Sequence, residues 1–171
     1  ILGVSMACAH AGAKSADVPL YKHLRVIYGI KDHKFNLPTP LLNVFNGGAH
    51  ADNNLDMQEF IVVPHKFKSF SRKLQAGVET FHALQGILMK DGLNTNVGNE
   101  GGFAPNVGKT EDALEYLVKA IKKAKYKPGT QIGLGIDIAA SEFFDVRTGK
   151  YKLKTDKRTL TAEGMTDLIE D

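Results

Sequence analysis

The sequence predicts an α/β fold, with a parallel sheet or barrel covered by helices. Three observations predict it. Apolar, strand-like runs at Leu41–Phe45, Phe60–Val63 and Ile132–Ile138 alternate with helical periodicities after residue 40. Polar or turn-forming residues close each run: Asn46-Gly47-Gly48, Pro64 and Asp137. Between the second and third runs lie two stretches with apolar residues at helical spacing.

The elements follow in order. Residues 1–14 are rich in Ala and Gly, and Leu2, Met6 and Ala9 are spaced for one helical face. Pro19 suits the start of a short second helix, Leu20–Tyr28. A polar stretch, Lys31–Asn36, leads to Pro38 and Pro40 and then the first strand. The second strand, Phe60–Val63, is β-branched, and Gln58 and Glu59 open it. Ser69 is placed to cap a helix running to Lys90, with Leu74, Val78, Phe81, Leu84 and Leu88 as its apolar stripe. Asp91-Gly92 ends that helix. Thr110 begins another, with Glu111 and Asp112 in its first turn and Leu114, Leu117, Val118 and Ile121 on its buried face. Pro128-Gly129 breaks the chain before the third strand. Tyr151–Leu153 reads as one side of a hairpin closed by Thr148-Gly149, and Thr161-Ala162-Glu163-Gly164 starts a last helix. There is no internal repeat and no low-complexity segment. The sequence opens inside a helical pattern rather than at Met and stops partway along another, so the expectation is an internal piece of a longer protein.

Composition narrows the class. With 171 residues, 43% of them hydrophobic, the chain can bury a real core and is not disordered. A net charge of +3, from 22 basic and 19 acidic residues, is too mild to imply nucleic acid. The run Lys119, Lys122, Lys123, Lys125 and Lys127 reads as a solvated helix face. No stretch approaches the roughly 18 apolar residues of a membrane span. Ile1–Ala16 lacks the basic start of a signal peptide, and Cys8 stands alone, so no internal disulfide forms. A cytoplasmic protein is expected.

Three groups are candidates for chemistry. Glu100 sits among Asn96-Val97-Gly98-Asn99 and Gly101-Gly102-Phe103-Ala104-Pro105-Asn106, so a rigid glycine-rich loop displays one acid. It reads either as a general acid or base or as an exposed turn carboxylate. Asp137 ends an apolar strand, where a buried, unpaired carboxylate would be costly. It reads either as a ligand for a hard cation such as Mg²⁺ or as a cap on the following turn. His50 follows the first strand and stands nine residues from Glu59, which is not metal-ligand spacing on one helix. The other histidines, His10, His23, His33, His65 and His82, form no cluster. No phosphate-loop or dinucleotide fingerprint and no Ser/His/Asp or Cys/His arrangement stands out.

Taken together, Asn43-Val44-Phe45-Asn46-Gly47-Gly48-Ala49-His50-Ala51, Met57-Gln58-Glu59-Phe60, Gly98-Asn99-Glu100-Gly101-Gly102-Phe103-Ala104-Pro105-Asn106 and Asp137-Ile138-Ala139-Ala140-Ser141-Glu142-Phe143 strongly resemble the enolase family. Leu2-Gly3-Val4-Ser5 and Val18-Pro19-Leu20-Tyr21-Lys22-His23-Leu24 fit as well, so the likeness spans nearly the whole chain. Ala51-Asp52-Asn53-Asn54 is closer to bacterial members. The resemblance implies residues 1–33 as the closing helices of an N-terminal α+β domain. It implies residues 34–171 as the opening portion of an enolase-type (β/α)₈ barrel. It implies interconversion of 2-phosphoglycerate and phosphoenolpyruvate plus water through a Mg²⁺-stabilised enolate made by a lysine base.

By the same resemblance Glu100 is the acid that helps the 3-hydroxyl leave as water, and Asp137 is a carboxylate ligand of Mg²⁺. His50 and Glu59 line the substrate and assist dehydration, Gln58 is their neighbour in the pocket, and Gly47 and Gly48 give room for that loop to close. A homodimer, in the cytoplasm with a secondary cell-surface location, is implied for the whole enzyme. Two departures stand out. Asn99 occupies a position where the family usually carries Asp, and no lysine here matches the base motif. The piece alone is therefore expected to be inactive and prone to aggregation. The competing readings are a remnant whose lysine-rich face binds a partner protein and another enolase-superfamily enzyme acting on a different acid.

Overall fold

A computed structural model describes residues 1–31 and 34–170 of the chain, which form two units, Ile1–Leu37 and Pro38–Asp171. Asp32, His33 and Asp171 lie outside the described residues; they include part of the expected polar stretch, one of the histidines and the last residue of the sequence.

In the first unit, α1 (Leu2–Ser15) and α2 (Leu20–Ile27) fall where the small-residue pattern and Pro19 place them. Pro19 is the residue before α2, where its missing N–H costs nothing. The unit is held less by apolar burial than by local contacts. Arg25 donates to the Lys34 carbonyl at 2.7 Å and lies over the Phe35 ring, whose edge meets Tyr21.

The second unit contains β1 (Leu42–Asn46), β2 (Glu59–Val63) and β3 (Gly133–Asp137), ordered β1-β2-β3. Both pairings are antiparallel, against the expected parallel sheet. The reason lies in what separates β2 from β3. Two helices intervene, α3 (Phe70–Lys90) and α4 (Thr110–Lys123), and they run antiparallel. Tyr116 midway along α4 bonds Asp91 at the end of α3, while Tyr126 beyond α4 reaches back to Glu79 in the middle of α3. One crossover helix returns the chain to its starting end and gives a parallel pair. Two antiparallel helices leave it at the opposite end, so β3 enters reversed. Mixed helix and strand content is therefore present, but no closed barrel forms among the described residues.

The core lies between this sheet and the two helices. Val44, Phe45, Phe60, Val62, Leu84, Leu88, Phe103, Leu117, Ile121 and Ile132 are all buried there. Phe103 stacks on Phe81 with centroids 4.3 Å apart, which draws the acidic loop onto α3. Ser69 caps α3 as expected, accepting the Arg72 N–H. The stripe on α3 differs from the expected one. Leu84 and Leu88 are buried, but Leu74 and Val78 remain 42% and 41% exposed. Ala76, Gly77 and Thr80 face inward instead. Leu42 of β1 packs so close that a Cβ on Gly77 would meet its side chain at 2.6 Å, so only small residues fit there. The lysines of α4 and the segment after it are exposed, as read.

A second antiparallel sheet, β4 (Phe144–Asp145), β5 (Lys150–Leu153) and β6 (Arg158–Leu160), carries the expected hairpin through Thr148-Gly149. The helix α5 (Ala162–Glu170) follows. Asp156, between β5 and β6, accepts the N–H and hydroxyl of Thr110 and so fastens this sheet to the start of α4. No helix of the described residues is long and apolar enough to cross a membrane.

Candidate active site

One end of the three-stranded sheet gathers the chemistry. In the register, Asn46 of β1 stands opposite Glu59 of β2, and Glu59 opposite Asp137 of β3. Gln58 is tied there through its main chain. Its N–H donates to the Asp137 carbonyl at 3.1 Å, and its carbonyl accepts from Gly47 at 2.9 Å. A 3₁₀ turn, Gly48–His50, leaves β1 and brings His50 back over the sheet end.

The acidic loop closes the arrangement. The Gly98 N–H bonds the Gly102 carbonyl at 2.8 Å, and the Gly101 N–H bonds the Gly98 carbonyl, so Glu100 sits at the tip of a tight turn. Gly101 adopts a left-handed φ of 85°, which glycine tolerates without strain. The Asn99 N–H donates to the His50 carbonyl at 2.9 Å, so the unusual Asn99 ties the loop through its backbone.

The result is a cluster. Ligand atoms of His50, Glu59 and Glu100 all lie within 4.8 Å of one another. His50 Nδ1 is 3.0 Å from Glu100 Oε2. The approach is off the line of N–H donation, so the imidazole atom is buried without an aligned hydrogen bond and the contact is electrostatic. Asn43 Nδ2 donates to the same Oε2 at 3.1 Å. Glu59 and Glu100 interact as a carboxyl pair. Hydrogen bonding with the adjacent Glu100 carboxyl, then burial and the nearby charges of Glu100 and Asp137, push the Glu59 carboxyl above its ordinary value. Glu100 is held below its ordinary value, chiefly by the same bond to Glu59, then by His50 and Asn43. The two shifts are opposite in direction and belong to the pair.

Asp137 takes the turn-capping one of its two readings. Its side chain is exposed rather than buried, at the end of β3. Its Oδ1 accepts the Ala139 N–H at 3.1 Å, which is the turn-capping arrangement, and its charge is felt by Glu59. Glu142 lies on the exposed 3₁₀ turn Ala140–Phe143.

A family model described as enolase, C-terminal TIM barrel domain, matches residues 34–171. The chain belongs to the enolase family.

Within this enolase segment two site residues carry no role in the sequence reading. Asn43 and Asn46 lie in β1, inside the quoted motif, yet an Asn beside Gly-Gly reads only as a turn signal. The available clue was positional: two polar residues within one five-residue strand, three apart, where a core strand should be apolar. Asn43 meets Glu100, and Asn46 is completely buried. Chemically, the enolase cluster offers two interacting carboxyls, one raised and one lowered, beside an imidazole, a set suited to proton transfer.

Proposed function

We propose that this chain supplies the acid half of an enolase active site, acting on 2-phosphoglycerate and phosphoenolpyruvate. The observation that carries the reading is the convergence of His50, Glu59 and Glu100 from a turn, a strand end and a loop onto one point, beside Asp137. Three separate segments do not meet this way to cap a turn. In this reading the Glu59–Glu100 pair gives one proton to the 3-hydroxyl so that it leaves as water, and the additional negative charge left on the pair faces His50. Gln58 and His50 line the substrate. The base that takes the α-proton is not assigned to any residue here.

Mg²⁺ fits this end of the sheet. Three carboxyl groups, Glu59, Glu100 and Asp137, concentrate negative charge, which raises the Glu59 carboxyl, and Asn43 Oδ1 is a buried oxygen with no hydrogen-bond partner. Asp137, exposed at the end of β3, is the side chain that would hold the cation; the nitrogen of His50 makes the inner cluster a poorer home for a hard ion. When bound, the cation supplies charge neutralisation at the substrate carboxylate.

The same reading gives residues 1–33 to a preceding α+β domain and residues 34–171 to the opening part of the barrel; a family match that starts at residue 34 supports the second assignment. It carries with it a cytoplasmic homodimer of bacterial type. The test is phosphoenolpyruvate formation, followed by its ultraviolet absorbance, in the full protein and its Glu100→Gln variant. A loss of about 10²–10⁴-fold with the fold intact is expected. An unchanged rate overturns the reading.

A further inference from the structure

Glu100 does not hold itself in place. Its turn spans Gly98 to Gly102, and the side chain of Asn46 sits between those two glycines. A Cβ on Gly98 would meet Asn46 Cβ at 2.9 Å, and one on Gly102 would meet Asn46 Oδ1 at 2.7 Å. Asn46 Oδ1 accepts the Gly102 N–H at 2.8 Å, while its Nδ2 points to the Gln58 carbonyl at 3.4 Å. Its own N–H and the Phe103 carbonyl add a main-chain bond of 2.8 Å. One fully buried carboxamide therefore touches the loop that carries Glu100 and the residue that precedes Glu59.

We infer that Asn46 is a positioning residue that sets the spacing between the Glu100 loop and the Glu59 end of β2. The inference rests on the proposed function for its kinetic meaning and on geometry alone for its structural meaning. A carboxamide suits the task because it presents one acceptor and one donor in a fixed plane. No apolar residue satisfies the Gly102 N–H, and a buried donor without a partner is costly. A serine lacks the reach. The glycines on either side then have a reason beyond flexibility: they make room for this side chain.

The experiment compares the wild type with Asn46→Leu, Asn46→Ser and Asn46→Asp in the full protein. The first readout is amide hydrogen exchange at Gly102. Leu and Ser should speed it at least tenfold while helix α3 amides stay protected, and Asp, which keeps the acceptor, should slow it back towards wild type. The second readout is dehydration by folded enzyme. For Leu and Ser kcat should fall by about tenfold to a hundredfold with KM within about twofold, because the acid is displaced while substrate binding persists. Asp should recover part of that loss. A residue needed only for folding would lower the folded fraction and leave kcat per folded molecule unchanged. Unchanged Gly102 exchange in both Leu and Ser variants overturns the inference. Faster exchange in a protein without any dehydration leaves the positioning role intact and overturns the proposed function instead. If Asn46→Leu does not fold, Asn46→Ser carries the comparison.

Discussion

Glu100 and Asp137 occupy opposite kinds of surroundings within one unit. Glu100 stands on a turn closed by main-chain bonds, stacked through Phe103 on Phe81, and met by Asn43 and His50. Asp137 ends an edge strand and makes a local turn bond to Ala139. The first acid is anchored by residues far away in the sequence and the second by a residue two places on. The difference fits their proposed tasks. An acid that delivers a proton must be aimed to within a fraction of an ångström. A carboxylate that meets a hydrated cation does better exposed, where the ion keeps several of its waters.

The comparison breaks most visibly at the chemistry. Beyond Glu100→Gln, the next largest effect is expected from Asp137→Asn. The amide keeps the turn bond to Ala139, so thermal stability should hardly move, while the Mg²⁺ concentration needed for half-maximal activity should rise at least tenfold. Equal Mg²⁺ dependence in variant and wild type would remove Asp137 from the metal role.

Stability sharpens the contrast next. Gly102→Ala places a Cβ 2.7 Å from Asn46 Oδ1 and 2.8 Å from the Phe45 nitrogen. Overpacking of this kind costs about 1–3 kcal/mol. Gly135→Ala, two residues before Asp137, meets nothing closer than 3.7 Å, and its cost should stay within about 0.5 kcal/mol. Denaturant midpoints of the two variants measure the difference directly; equal midpoints would mean the acidic loop is no tighter than the open edge.

Asp156→Ala should be intermediate. It removes the carboxylate that caps α4 through Thr110, at a cost of about 1 kcal/mol, read from the same midpoints. The smallest effect belongs to Tyr126→Phe. Glu79 is held below its ordinary carboxylate value, first by Tyr126 and then by Gln75. A depressed carboxylate stabilises the fold above its unfolded value of 4.5 and loses that contribution as pH falls through the lower folded value. The variant should therefore lose less stability than wild type between about pH 6 and about pH 3, compared by thermal melts.

Much of the fold was legible because its signals are local. Ser69, Asp91-Gly92, Pro19 and Thr148-Gly149 act on their immediate neighbours, and the helices and hairpin begin or end where they predict. The sheet direction was not legible, since it depends on how many helices separate β2 from β3 and how they pack. Leu74 and Val78 misled for a related reason: Leu42 approaches Gly77 so closely that the helix turns a small-residue face inward. At the site, the motifs flagged His50, Glu59, Glu100 and Asp137, and the structure brings the first three together. The apolar neighbours of Asp137 left a cation ligand and a turn cap equally open, and the cap is what forms. Asn43 and Asn46 escaped because their partners lie more than fifty residues away.

Asn46 is followed by Gly47, the pairing most prone to spontaneous deamidation, in which the glycine nitrogen attacks the asparagine carboxamide and expels ammonia. Here that nitrogen is engaged with the Gln58 carbonyl, and the carboxamide is immobilised in the interior. Folding therefore stops a chemical clock at this dipeptide, and the clock runs only in molecules that have opened. Old or heat-stressed preparations should accumulate aspartate and isoaspartate at this position in proportion to time spent unfolded, a covalent record of past excursions from the native state.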